Sequence, residues 1–141
     1  MKKMFNLPQK DFNLWRLLVE IALKKSDFIK FNILFSGHEL ALFLEDFAES
    51  NVILKCDIQK FYCTGDVLEI KLNSLQQKRK FIEKIKMFDV WKNNFIEDPS
   101  FWDGETEFLG CISHENIVMI DTNYYDEGEI KGVDLFNLPV Q

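Results

Sequence analysis

Arginine is almost missing from this chain of 141 residues: Arg16 and Arg79 stand beside fifteen lysines. That bias suits an AT-rich, bacterial genome. Histidine is equally scarce, at His38 and His114 only. The six glycines are isolated from one another, which excludes the G-x-G-x-x-G and P-loop phosphate cradles. Three cysteines, an odd number, do not make a secreted disulfide framework; they read as free thiols in a reducing, cytoplasmic setting. Long apolar runs are absent too. Leu14 to Leu23 is the best candidate, falls short of the ~20 residues needed to span a bilayer, and carries Arg16 and Glu20. Met1-Lys2-Lys3 resembles the start of a secretory leader, but Asn6, Pro8, Gln9, Lys10 and Asp11 interrupt the apolar stretch that should follow. No membrane partner is therefore expected.

The most telling scarcity is of positive charge in the last third. From Glu97 to Gln141 a single base, Lys131, faces eleven acids, whereas the first 96 residues hold 16 bases and 12 acids. Scattered charge would serve solubility equally well, so this segregation points to an electrostatic surface with a use. Nucleic acid is an unsuitable partner for it, because phosphate neutralisation needs bases and the chain is net negative at −6.

What is present supports a packed core. The hydrophobic fraction is 47% and there are 14 phenylalanines, enough for one globular domain over residues 1–141. Leu14, Leu17, Leu18, Ile21 and Ala22 form a 3.6-period stripe that predicts a helix over 11–25. Ile29, Phe31, Ile33 and Phe35 predict a strand over 28–35. The capping box Ser36-Gly-His-Glu39 opens a helix over 37–49. Alternation at Val52, Leu54, Cys56 and Ile58, the turn Thr64-Gly65-Asp66 and a strand over 67–72 predict a hairpin. A third helix follows over 75–92. Pro99 and Gly104 then predict a loop over 97–106. A second hairpin takes residues 107–112 and 117–121, and an edge strand lies near 133–138. The order αβαββαββ predicts an α+β fold with a mixed or mostly antiparallel sheet packed against helices.

Few residues carry a chemical signal. Cys111-Ile-Ser-His114 has the spacing of half a zinc site, with Cys56 and Cys63 as possible completion. Seven residues along one extended strand point Cys56 and Cys63 to opposite faces, so no metal site is expected. The same Cys111 and His114, with Asp121 behind the imidazole, would suit nucleophilic catalysis, but positions three apart on a strand diverge. Asp103-Gly-Glu105 and Asp126-Glu-Gly-Glu129 pair carboxylates without matching a calcium loop. The basic face of the third helix, Lys78 to Lys92, reads as a solvated surface. No catalytic residue and no cofactor is expected.

The sequence therefore predicts a non-enzymatic, acidic protein-binding module that captures a basic partner, in the manner of a toxin-neutralising immunity protein or nuclease inhibitor. Carboxylates would stand in for phosphate and aromatics would anchor the contact. The expected contact residues are Asp98, Trp102, Asp103, Glu105, Tyr124, Tyr125, Asp126, Glu127 and Glu129. The alternative is a small carboxylate-dependent enzyme or ligand-binding domain with a pocket under the 97–106 loop.

Overall fold

The computed structural model describes residues 2–7, 12–33, 51–61, 63–71 and 96–126, with isolated positions at 42, 45, 74 and 76–78. Seven strands form one sheet: β1 (Lys2–Asn6), β2 (Phe28–Ile33), β3 (Asn51–Gln59), β4 (Thr64–Lys71), β5 (Ile96–Asp103), β6 (Thr106–Ile112) and β7 (Ile117–Asp121). Their spatial order is β1-β7-β6-β5-β2-β4-β3, and every neighbouring pair is antiparallel. Among the described residues, helix α1 (Phe12–Lys25) packs on this sheet, and a 3-10 turn at Ser113–Glu115 joins β6 to β7.

Helix α1 forms because the segment has no Gly or Pro and its apolar residues recur on one broad face. Leu14, Trp15, Leu18, Val19, Ile21, Ala22 and Leu23 are buried. Arg16 and Glu20 pair across one turn on the outer side, 3.0 Å apart. Lys24 and Lys25 occupy the last turn, where the helix dipole favours cations. The chain then hooks directly onto the sheet, the Asp27 N–H donating to the Trp102 carbonyl at 2.8 Å.

Beneath the helix runs a cross-strand row of apolar residues. Ile70 faces Ile29, Ile29 faces Phe101, Phe101 faces Leu109 and Leu109 faces Ile120. All five are buried, and Phe31 and Leu68 extend the row beside them. Opposed residues share a face, so this row is the floor of the core. The reverse face carries different chemistry: Glu69 faces Lys30, Lys30 faces Ser100, and Trp102 faces both Phe28 and Glu107. These polar groups are buried as well, which makes the sheet two-faced with no fully solvated side here.

The α+β class holds, with an antiparallel sheet, but the expected order αβαββαββ does not. A strand, β1, precedes α1, and the expected 97–106 loop is strand β5 and its turn into β6. Pro99 fits in a strand because β5 bulges there: Lys30 faces Ser100 while Asn32 faces Glu97, so β5 holds one extra residue. A proline at a bulge loses no ladder hydrogen bond. Asp98 takes the left-handed backbone this bulge requires, φ +53°. The two expected hairpins are present, as β3–β4 and β6–β7. The helices expected over 37–49 and 75–92 and the strand near 133–138 lie outside the described residues, save for helical positions at 42, 45 and 76–78.

Phe31 lies in the interior of the sheet and is fully buried. Phe31→Ala is expected to cost about 3–5 kcal/mol, whereas Arg16→Ala on the exposed helix face should change stability by about 0.5 kcal/mol or less. Urea unfolding midpoints of the two variants check both values.

Candidate functional site

The turn from β3 into β4 curls over the polar face of the sheet and places Lys60 inside it. Lys60 is 1% exposed. Its Nζ donates to the Asp98 carbonyl at 2.5 Å and to Asn32 Oδ1 at 3.0 Å. Burial pulls its pKa below the ordinary lysine range, against the opposing pull of Glu107 and Asp98. Asp98 is held from two further sides, by the Ser113 N–H on Oδ1 at 2.7 Å and by Asn32 Nδ2 on Oδ2 at 3.4 Å.

Glu107 completes this interior cluster. Oε1 accepts from the Phe61 N–H at 2.8 Å, and burial pushes the carboxyl above the ordinary carboxylate range although Lys60 opposes it. The Phe61 ring lies over Gly110, where an added Cβ would come within 2.8 Å of it and 3.2 Å of Glu107 Oε2. A glycine is needed there for close approach rather than for backbone freedom.

Alongside the cluster opens a groove of about 480 Å³, walled by Phe28, Lys30, Lys55, Glu69, Trp102 and Glu105 among others. Glu69 is shared by two lysines, at 3.0 Å from Lys55 and 3.5 Å from Lys30. Lys30 Nζ also sits 3.8 Å from the Trp102 ring centre, and desolvation lowers its pKa. The indole N–H of Trp102 is committed to Ser100 Oγ at 2.9 Å. Trp102 is thus a wall of the groove, only 7% exposed, and not a projecting anchor.

At the outer end of the groove the β5–β6 turn exposes Asp103, Gly104 and Glu105. Asp27 reaches this turn and accepts from the Gly104 N–H at 3.1 Å. The Tyr124 hydroxyl donates to Asp103 Oδ2 at 3.0 Å, and burial together with this carboxylate raises the Tyr124 pKa. Among the described residues no lysine or arginine lies within ion-pair distance of Asp27, Asp103 or Glu105. Three exposed carboxylates therefore share one corner with no counter-ion among the described residues.

The nine expected contact residues are divided by this geometry. Trp102, Asp103 and Glu105 meet at the groove and its tip, and Tyr124 joins them by its hydroxyl while stacking on Phe108, centroids 4.4 Å apart. Asp126 is exposed. Asp98 is fully buried, its carboxylate held by Ser113 and Asn32, so it offers no surface to a protein partner. Tyr125 is 2% exposed and donates its hydroxyl to the Leu18 carbonyl at 3.0 Å, tying this segment to α1. Glu127 and Glu129 lie outside the described residues.

The nucleophile constellation weighed in the sequence does not assemble. Cys111 is fully buried, its thiol donating to the Pro99 carbonyl at 3.4 Å, and burial drives its pKa far upward. Asp121 stands at the far end of β7 from His114, its Oδ1 accepting from the Asn123 N–H. Cys56 is exposed and Cys63 half-buried, and all three thiols are free. Lys60, Asn32 and Glu69 were not singled out by sequence. The alternation of β2 and β4 puts Asn32, Lys30 and Glu69 off the apolar face, but nothing local announces that the 60–63 turn covers them. Comparison with family models, with curated proteins and with solved structures finds no match to this chain.

Two measurements probe the interior cluster. Because the folded Glu107 carboxyl holds its proton above the unfolded range (~4.3), the native state binds more protons there and loses stability as pH rises through that interval. Glu107→Gln abolishes this slope, so its stability relative to the parent should climb as pH rises from acid towards neutrality; a flat difference in denaturation midpoints rejects the assignment. Gly110→Ala should cost about 1–3 kcal/mol through displacement of the Phe61 ring. Much of that cost should vanish in a Phe61→Ala background, as a double-mutant cycle will report.

Proposed function

We propose that this chain is a binding module without enzymatic chemistry that captures a basic protein, with the β5–β6 turn as its acidic contact point. The observation that carries the reading is the corner of Asp27, Asp103 and Glu105, exposed and without a cationic partner among the described residues. Unneutralised carboxylates repel one another and contribute little to stability. Their charge is available to an incoming lysine or arginine, steering its approach and fixing register. The adjoining groove with its Trp102 wall offers an apolar surface beside the charge, the pairing typical of a contact centre. Partners that must display a basic cleft, such as nuclease-type toxins, suit this chemistry, because carboxylates on a rigid turn can occupy phosphate positions.

A second reading draws on the groove itself. Lys30 and Lys55 share the carboxylate of Glu69, so two ammonium groups stand beside one carboxylate, with Glu105 on the wall. A small ligand with an anionic group would meet those ammonium groups, and the groove's volume lies in the range of small-molecule pockets.

The test uses the chain as bait in an extract of its native host, with the Asp103→Asn/Glu105→Gln variant as matched control. The parent should retain a stoichiometric basic protein that salt elutes, and the variant should lose it mainly through an association rate slowed by tenfold or more. Equal retention by both would reject the acidic corner as the contact. Lys55→Ala should leave the protein capture intact; loss of an anionic small molecule from that variant would instead favour the second reading.

A further inference from the structure

We propose that Glu97, Asp98 and His114 form a binding site for a divalent first-row transition ion. Their ligand atoms, one carboxylate oxygen each from Glu97 and Asp98 and one imidazole nitrogen from His114, lie within 4.8 Å of one another. They come from two elements, β5 and the 3-10 turn after β6. The site is separate from the acidic corner at Asp103 and from the groove.

Three features make this more than a chance meeting of acids. Consecutive residues on a regular strand point to opposite faces, so Glu97 and Asp98 should diverge. They converge because the bulge at Asp98–Pro99 puts Asp98 in the left-handed region. The second feature is orientation. Asp98 is fully buried and its carboxylate is fixed by the Ser113 N–H and by Asn32 Nδ2, the outer-shell support that a rigid metal ligand requires. The same Ser113 N–H bond pins the turn that carries His114, so carboxylate and imidazole are positioned by one contact.

The third feature is the donor set. One imidazole nitrogen with two carboxylate oxygens suits zinc, cobalt or manganese, whereas calcium and magnesium favour all-oxygen sites. Ligand atoms on one tetrahedral ion stand about 3.4 Å apart. Closing from separations of up to 4.8 Å needs movement of up to about 1.4 Å, and His114 is exposed and Glu97 partly so. Three protein ligands leave a fourth position of a tetrahedral ion to water. The C-x-x-H spacing thus misassigns one ligand: Cys111 turns inward, and His114 is joined by two carboxylates that follow no spacing rule.

The experiment uses the intact chain, stripped of metal by chelator and titrated with cobalt(II), followed by zinc displacement and native mass spectrometry. The parent should take up one equivalent with a saturable visible cobalt band that zinc abolishes. His114→Ala and Glu97→Gln, both outside the core, should each weaken uptake by tenfold or more while leaving the circular dichroism spectrum unchanged. His38→Ala and Asp103→Asn/Glu105→Gln should bind as the parent does. Absence of saturable uptake, or unchanged affinity in His114→Ala, overturns the proposal, and neither result bears on protein capture by the acidic corner.

Discussion

A lysine that cannot reach water organises this structure. Burying the Lys60 ammonium costs several kcal/mol unless its protons are met by acceptors and its charge by counter-charge. The acceptors come from two different strands, Asn32 on β2 and the Asp98 carbonyl on β5. The counter-charge comes from Asp98 and from Glu107 on β6. A residue of the β3–β4 turn thereby ties down three strands to which that turn is not hydrogen-bonded in the ladder. The bulge at Asp98 serves the same end, since the extra residue of a bulge frees a carbonyl from strand pairing. Asp98 then satisfies two further groups with its side chain. The polar face of the sheet is consequently as specific as the apolar one, although it is held by geometry and charge and not by hydrophobic burial.

This arrangement explains how much could be read from the residues alone. Helix α1 and the hairpins β3–β4 and β6–β7 were legible because each is encoded locally, by a 3.6-period stripe or by alternation around a turn. Strand β1 was not. Lys2 to Asn6 contains two apolar residues in succession, Met4 and Phe5, and becomes a strand through pairing with β7. Strand β5 was hidden by Pro99 and Gly104, one of which sits at a bulge and the other in a turn. Both residues do break regularity, but over one residue and not over ten.

The contact residues show the same limit. Asp98 and Asp103 look alike in sequence, an acid beside an apolar or aromatic neighbour. One is sealed in the interior and the other is exposed on a turn. Tyr124 and Tyr125 are adjacent, yet the first faces Asp103 and the second is buried against α1. Charge segregation singled out the acids of the last third, and of these Asp103 and Glu105 lie exposed on the β5–β6 turn. It could not locate Asp27, which joins that corner from the far end of α1, or say which acids the fold would consume internally.

The pairing of β1 with β7 carries a consequence for the order in which the molecule is made. Met4 is opposite Met119, so β1 is completed by a strand that leaves the ribosome about 115 residues later. At synthesis rates of ~5–20 residues per second, β1 waits on the order of ten seconds for its ladder. Throughout that time Phe5, which ends fully buried, has no sheet to enter. Joining β1 to β7 is also the longest closure among the described strands, and such closures slow folding more than they weaken the product. The nascent chain thus emerges with β1 exposed, and a covering chaperone or a rapid docking of α1 would protect it more than the strands that follow.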